Sequence, residues 1–251
     1  AYEPLKALLG LALDQPIKLA YPRCEIVRAD KALVDRFGGD VLPIQAEGTN
    51  VLHYSSLTPP VVSGGFYLMA TGCETDEYGL GYERPEGSPY AVVCRSPFAG
   101  RPDVAEIARH EWPDPGDPRR TAGLKEAAQG LRRTDDRALA IGLPGRFLSF
   151  GQDLCGYTEW MIYLITERKF VEALLDKALE IQLGVCENVL AELGDDVDIL
   201  VFADDFGTQQ DLQISPKMYR TLFKPRQKAL FERVKKLTQA RILMHSDGAI
   251  A

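Results

Sequence analysis

A chain of 251 residues with 45% hydrophobic and 26% charged residues has the composition of a globular protein and can bury a large core. Its net charge of −7 argues against nucleic-acid binding, because a phosphate backbone selects a basic protein surface. No apolar run approaches the roughly 18 residues of a membrane span. We therefore expect neither a nucleic acid nor a membrane among its partners.

The amino-terminal sequence and the cysteines both predict a cytoplasmic protein. No basic stretch followed by an apolar segment opens the chain, so no signal peptide is predicted. The cysteines are scattered, odd in number and without a Cys-x-x-Cys pair: Cys24, Cys73, Cys94, Cys155 and Cys186. This distribution favours reduced thiols over a disulfide framework.

The first half of the chain, residues 1–135, has an irregular pattern. Its predicted elements are helices over residues 2–13, 31–37 and 119–132 and strands over residues 40–44, 66–71, 78–84 and 90–95. The last two strands flank residues 85–89, whose prolines and glycine predict the turn of a β-hairpin. The proline-rich residues 112–118 fit neither a helix nor an inner strand and are predicted to form a surface linker.

From residue 137 onward, apolar strands alternate with amphipathic helices. The strands are predicted over residues 138–143, 197–202 and 241–244, and the helices over residues 147–166, 169–193 and from 215 onward. This alternation predicts right-handed βαβ units in a parallel sheet, hence an α/β fold. Pro225 is expected to break the last helix. Because the strand 241–244 has no helix to cover it, we expect a single domain over residues 1–251 that is part of a longer barrel.

Two adjacent carboxylates lie where a predicted buried strand ends. Asp204 and Asp205 directly follow the apolar residues 197–202, and Gly207 lets the chain turn after them. Chemistry collects at the carboxyl ends of parallel strands. Successive residues of an extended segment point to opposite sides, so only one of the two is expected to face a pocket. We assign both as candidate catalytic residues; alternatively, one caps the next turn and the other is solvated.

A histidine and an aspartate follow the next predicted strand in the sequence His-Ser-Asp-Gly. The spacing of His245 and Asp247 places both side chains on the same face of an extended segment. An imidazole beside a carboxylate suits a transition-metal site, and it equally suits a histidine held for proton transfer. Alternatively, His245 is hydrogen-bonded at a strand end while Asp247 and Gly248 form a turn. We assign His245 as catalytic, and His245 and Asp247 as metal ligands.

Other side chains near the predicted strand ends are candidate substrate contacts. Arg146 follows a glycine turn and is suited to bind a carboxylate. Tyr157 lies further along the same connection, and Gln209 ends the Asp-Asp-Phe-Gly-Thr-Gln segment. The remaining histidines, His53 and His110, lie in irregular regions and are predicted to be on the surface. The sequence contains no P-loop, dinucleotide-binding glycine motif or HExxH zinc motif.

Four segments occur in an order typical of one protein family. They are residues 204–209 (Asp-Asp-Phe-Gly-Thr-Gln), 214–220 (Ile-Ser-Pro-Lys-Met-Tyr-Arg), 223–226 (Phe-Lys-Pro-Arg) and 245–250 (His-Ser-Asp-Gly-Ala-Ile). This order resembles the uroporphyrinogen decarboxylase (URO-D) superfamily, and more narrowly its bacterial branch that includes cobalamin-dependent methyltransferases. The resemblance is strongest over residues 138–251. It implies a (β/α)8 TIM barrel, incomplete in this chain, with its site at the carboxyl ends of the strands.

The resemblance implies two different chemistries. The decarboxylases use no cofactor: arginine and aspartate hold a tetrapyrrole by its acetate side chains, and the pyrrole carbon is protonated as CO2 leaves. The methyltransferases use zinc, held by a His-x-Cys pair and a later cysteine, and exchange methyl groups with a corrinoid on a partner protein. In this chain Asp247 stands at the cysteine position, which is a departure from the thiolate ligands of the family. A histidine and an aspartate can still bind zinc, so His245 and Asp247 are the candidate ligands.

Three functions are left open, and corrinoid-dependent methyl transfer from a small methylated compound is the first. The second is tetrapyrrole decarboxylation in porphyrin biosynthesis, in which an aspartate anchors the pyrrole NH groups. The third is a barrel without catalysis that has a binding role. The expected partners are a small-molecule substrate and a corrinoid-binding protein, and a homodimer is left open.

Overall fold

The computed structural model describes residues 2–12, 19–21, 26–27, 29–45, 61–63, 66–68, 74–88 and 90–250. The helices are α1 (Tyr2–Leu8), α2 (Lys31–Arg36), α3 (Val104–Arg109), α4 (Leu124–Arg132), α5 (Leu148–Cys155), α6 (Tyr157–Thr166), α7 (Arg168–Leu193), α8 (Pro216–Met218) and α9 (Lys224–Val234). The strands are β1 (Leu19–Tyr21), β2 (Ile26–Val27), β3 (Val41–Ile44), β4 (Val61–Ser63), β5 (Phe66–Leu68), β6 (Glu74–Thr75), β7 (Gly81–Glu83), β8 (Val92–Arg95), β9 (Ala138–Gly142), β10 (Ile199–Ala203) and β11 (Arg241–His245).

A parallel sheet of four strands organises the fold and confirms the predicted α/β class. The strand order is β11-β10-β9-β3, and each neighbouring pair is parallel. Residues of β9 and β10 alternate between buried and partly buried, as expected when helices cover the sheet. β3 comes from the half of the chain with the irregular pattern. Within the described residues these four strands form an open sheet that does not close into a barrel.

The long helix α7 supplies much of the core. This helix was predicted to be amphipathic, and the residues that form its apolar stripe are all buried: Phe170, Leu174, Ala178, Ile181, Val185 and Val189. The helical stretch predicted over residues 147–166 is instead two helices, α5 and α6. They are separated by Gly156, whose φ of +87° lies in the region that favours glycine. This break lets α5 begin at the strand edge and α6 turn back against it.

The antiparallel sheet β6-β7-β8 contains the predicted hairpin, and Tyr78, in the turn between β6 and β7, places its ring 5.7 Å from that of Phe150 in α5. The ring of Trp112 lies 6.4 Å from that of Phe150, so the prediction of a surface linker is wrong at Trp112. The prediction that His110 is a surface residue is also wrong. Its ring lies 5.0 Å from the ring of Phe98, its Nε2 lies 3.0 Å from the carbonyl oxygen of Tyr78, and burial lowers its pKa. His53 lies outside the described residues.

The segment after Ser215 differs from the predicted broken helix. Ser215 caps the short helix α8, because its Oγ accepts a hydrogen bond from the amide of Met218 at 3.2 Å. A π-helical turn, Tyr219–Phe223, then leads into α9, and the amide of Lys224 donates to the carbonyl oxygen of Tyr219. Pro225 lies in the first turn of α9, directly after the π-helical turn. The chain therefore continues through a widened turn instead of breaking.

Two further findings concern the cysteines and the helices. Cys94 is disulfide-bonded, so the prediction that all the cysteines are reduced thiols is wrong for this residue. Cys155 and Cys186 are free and buried. Among the residues that the structure describes, no helix has both the length and the hydrophobicity needed to cross a membrane.

Candidate functional site

The predicted strand ends meet at one edge of the parallel sheet. Ala203 is in register with His245, so the residues that follow β10 lie beside those that follow β11. The amide of Asp204 donates to the carbonyl oxygen of His245 at 3.1 Å, and the amide of Phe206 donates to Ser246 Oγ at 3.0 Å. These bonds extend the β10–β11 pairing into the two loops and bring their side chains together.

Asp204 points into the protein, where its carboxylate caps helix α5. The residue is only 1% exposed. Its oxygens accept hydrogen bonds from the amides of Phe147, Leu148 and Ser149 at 2.8–3.0 Å and from Ser149 Oγ at 2.6 Å. Burial raises the pKa of the Asp204 carboxyl, while these four donors favour its ionised form and oppose the rise. Asp204 therefore fixes the start of α5 to the end of β10.

Asp205 points the opposite way, as expected for adjacent residues of an extended segment. Its side chain is 49% exposed. Its Oδ1 accepts the amide of Asp247 at 2.8 Å and lies 4.0 Å from Nε2 of His245. The prediction that the two side chains point to opposite sides is thus confirmed. Asp204 is a buried cap, and Asp205 faces the open edge of the sheet.

Asp205, His245 and Asp247 form a cluster that we call the triad. His245 Nε2 lies 3.3 Å from Asp247 Oδ1, and one potential ligand atom from each residue lies within 4.8 Å of the others. The side chains of His245 and Asp247 are 50% and 77% exposed, so the triad is open to solvent. One imidazole and two carboxylates are ligands that a divalent transition-metal ion such as zinc accepts. An open side is typical of catalytic metal sites, which keep a position for substrate.

Two glycines allow the loops of the triad to touch. A Cβ at Gly248 would lie 2.5 Å from the carbonyl carbon of Gly207 and 2.6 Å from the carbonyl oxygen of Thr208. Gly248 also has a φ of +86°, a backbone conformation that residues other than glycine rarely adopt. The amide of Ala249 donates to the carbonyl oxygen of Thr208 at 2.8 Å, which completes the contact. The backbone approach therefore depends on glycine at these two positions.

The predicted substrate contacts lie at different places. Arg146 pairs with Asp153 of α5, with 3.0 Å between Nη2 and Oδ2. Tyr157 begins α6 and is 57% exposed. Gln209 is exposed in the turn between Thr208 and Asp211. Their roles as substrate contacts stay predictions, whereas the residues that the structure brings together are those of the triad.

Sequence reasoning did not identify the residues that hold the triad loops. Gln213 Nε2 donates to the carbonyl oxygen of Asp205 at 2.9 Å, and Gln152 Nε2 of α5 donates to Gln213 Oε1 at 2.8 Å. Ser149 and Ser246 hold the two loops through the hydrogen bonds described above. Gln152 and Gln213 are 61 residues apart in the chain, so no local pattern in the sequence links them.

A parallel sheet with a polar cluster at the carboxyl ends of its strands defines a protein of the α/β class, in which both barrels and doubly wound sheets place their sites at this edge. The chain belongs to the uroporphyrinogen decarboxylase (URO-D) family, whose model matches residues 69–251. This match confirms the superfamily that the four sequence segments predicted, and the fold of that family is the (β/α)8 barrel.

A solved structure supports the same fold. The chain is similar to a methyltransferase from Methanosarcina mazei, with 17% sequence identity and a TM-score of 0.52. The match covers 98% of this chain and 62% of the methyltransferase, so the chain spans less than two thirds of that protein's length. No curated protein sequence matches the chain significantly.

Proposed function

We propose that this chain is an enzyme of methyl transfer between a small methylated compound and a corrinoid on a partner protein, with zinc held by the triad. The observation that carries the proposal is the convergence of Asp205, His245 and Asp247 within 4.8 Å at the strand edge. The similarity to a methyltransferase of the same fold supports it. Asp205 joins the two ligands expected from the sequence, because its Oδ1 faces His245.

The residues of the triad have complementary roles in this proposal. Zinc bound there would act as a Lewis acid that activates a thiol or a methyl donor. The amide of Asp247 holds the carboxylate of Asp205 in place, and β10–β11 pairing holds His245 beside it. Asp204 takes no part in binding, because its carboxylate is buried and accepts four hydrogen bonds at the start of α5. It is a structural residue that keeps the strand edge in shape.

Tetrapyrrole decarboxylation is the second candidate, since the matching family model bears the decarboxylase name. The charge of the strand edge disfavours it. One aspartate would anchor the pyrrole NH groups, but Asp205 and Asp247 together add negative charge where a substrate with several acetate groups would need cations. Arg146, which follows β9, forms an ion pair with Asp153. A site with two carboxylates and one imidazole is better suited to bind a cation than a polyanion.

The first experiment is the metal content of the purified protein, measured by elemental mass spectrometry after zinc loading and dialysis. We expect about one zinc per chain. The His245→Ala variant should lose the zinc and have the unfolding midpoint of the metal-free wild type, because His245 is half-exposed. The control is Glu232→Ala, an exposed carboxylate of α9 that should retain the zinc. A zinc-free wild type, or zinc retained by His245→Ala, would contradict the proposed metal site.

The second experiment separates the candidate reactions. The zinc-loaded protein is incubated with free cob(I)alamin and a panel of small O- and N-methylated compounds, and methylcobalamin formation is followed by absorbance. A parallel assay follows CO2 release from uroporphyrinogen. Methyl transfer that His245→Ala abolishes supports the proposal. Decarboxylation without methyl transfer would replace it with the second candidate, and neither activity would favour a binding role.

A further inference from the structure

We infer that Gln213 is a positioning residue of the triad: its side-chain amide sets where the carboxylate of Asp205 lies. Gln213 Nε2 donates to the carbonyl oxygens of Asp205 at 2.9 Å and Gly207 at 3.3 Å. The backbone amide of Gln213 donates to the carbonyl oxygen of Phe206 at 2.7 Å. One residue therefore binds the main chain at three successive positions of the loop that carries Asp205.

The other end of the Gln213 side chain is held by a helix. Its Oε1 accepts Nε2 of Gln152 in α5 at 2.8 Å. Helix α5 is in turn fixed to the end of β10 by Asp204. The loop is thus held from the sheet on one side and from α5 on the other. Gln152 and Gln213 transmit the position of α5 to the backbone of Asp205.

The carbonyl group that Gln213 binds belongs to the same residue as the triad carboxylate. Loss of the amide donor would let the peptide after Asp205 rotate toward water, since a partly buried carbonyl seeks another donor. That rotation would move Asp205 Oδ1 away from the amide of Asp247, which it accepts at 2.8 Å. Substitution of a residue that orients a metal ligand commonly weakens the metal affinity by about 10–100-fold.

The inference deepens the proposed function. Its statement about metal affinity rests on the proposed function, whereas its statement that Gln213 positions Asp205 does not. Two variants test it. Gln213→Ala removes the whole side-chain amide, and Gln213→Glu keeps its size but replaces the donating NH2 by an acceptor. The control is Gln210→Ala, which removes an exposed glutamine of the same loop. Should Gln213→Ala fail to fold, Gln213→Glu and Gln152→Ala carry the test, because Gln152→Ala removes only the anchor on α5.

The first readout needs no metal. In metal-free, 15N-labelled protein, the chemical shift of the Asp247 amide reports its hydrogen bond to Asp205. The Asp205→Ala variant gives the chemical shift that corresponds to complete loss of this hydrogen bond. We expect both Gln213 variants to shift this resonance in the direction of Asp205→Ala, with Gln152→Ala intermediate and Gln210→Ala unchanged. An unmoved Asp247 resonance in the Gln213 variants would overturn the inference, whether or not the protein binds zinc.

The second readout is the affinity for zinc alone, measured by isothermal titration calorimetry. We expect the Gln213 variants to bind zinc about 10–100-fold more weakly than wild type and Gln210→Ala to bind it equally. Equal affinity in all of them would overturn the inference and leave the metal site intact. A wild type that binds no zinc would contradict the proposed function, and the amide resonance would then decide the role of Gln213 by itself.

Discussion

Asp204 and Asp205 are neighbours in the chain, yet they belong to two regions with opposite properties. Asp204 lies in the junction between β10 and α5, where it is buried and accepts four hydrogen bonds. Asp205 lies in the triad, where its side chain is half-exposed and faces a histidine and another aspartate. In the junction, hydrogen-bond donors surround the carboxylate of Asp204. In the triad, the carboxylates of Asp205 and Asp247 lie beside an imidazole and face solvent.

The comparison teaches that the surrounding donors decide the role of a carboxylate. A carboxylate at a helix N-terminus is stabilised by amides and by the helix dipole, and it has no capacity left for a ligand. Two carboxylates beside an imidazole repel one another and gain from a shared cation. The alternation of an extended chain is enough to send adjacent identical residues into these two environments.

The largest expected effect comes from removing the buried carboxylate. Asp204→Ala should lower the free energy of unfolding by about 4 kcal/mol, because it leaves the amides of Phe147, Leu148 and Ser149 buried without an acceptor. Urea denaturation monitored by circular dichroism measures the change. A loss below about 1 kcal/mol, the usual range of a surface substitution, would break the distinction between junction and triad.

The second effect tests whether the triad loops depend on their close contact. Gly248→Ala should cost about 3 kcal/mol, because the new Cβ would clash with the backbone of Gly207 and the φ of +86° adds strain. The control is Gly100→Ala, where φ is +66° and nothing lies within 4 Å of the added Cβ. It should cost only about 1 kcal/mol. Equal unfolding free energies for the two variants would contradict the loop contact.

A third carboxylate sharpens the comparison through pH. Burial raises the pKa of Asp76 to about 7, although the amides of Tyr78 and Leu80 and the hydroxyl of Tyr82 donate to it. Because the folded-state pKa exceeds the unfolded value of about 3.9, the protonated form contributes stability below about pH 4 that is lost as the pH rises through about 7.

Asp76→Asn should remove this dependence, since its Oδ1 can accept the two amides while its NH2 donates to the Tyr82 oxygen. Between pH 4 and pH 7, wild type should lose about 3 kcal/mol of unfolding free energy relative to the variant. Urea titrations at several pH values measure the difference. Parallel stability curves for the two proteins would show that Asp76 does not titrate in this range.

The smallest stability effect belongs to the exposed member of the adjacent pair. In the metal-free protein, Asp205→Ala should change the free energy of unfolding by no more than about 0.5 kcal/mol, because its side chain is half-exposed. In the proposed function the same variant should lose zinc binding, as measured by calorimetry. A large stability loss with intact zinc binding would reverse the roles assigned to the two aspartates.

The sequence predicted the parts of the fold that depend on local patterns. Apolar runs located β9, β10 and β11, and the polar residues directly after them placed Asp205, His245 and Asp247 at one sheet edge. The opposite orientation of Asp204 and Asp205 followed from the alternation of extended chain. These features depend on periodicity and on the direction of parallel strands, which a single sequence contains.

The parts that escaped prediction depend on contacts between distant segments. Asp204 and Ser149 are 55 residues apart, so nothing near Asp204 in the chain reveals its donors. The pairing of β3 with β9 likewise joins two segments that lie far apart in sequence. His110 has the polarity of a surface residue, yet surrounding aromatic rings bury it partly. Tertiary packing overrides local preference in each case.

The backbones of Gly207 and Gly248 are in close contact, so the conformation of each triad loop depends on the other loop. Protein engineering would have to treat them as one block. A library that alters the ligand set should vary positions 205, 245 and 247 together and hold both glycines constant. In a chimera with a related barrel, both loops should come from the same parent, because loops from two parents would bring together backbones that were not fitted to each other.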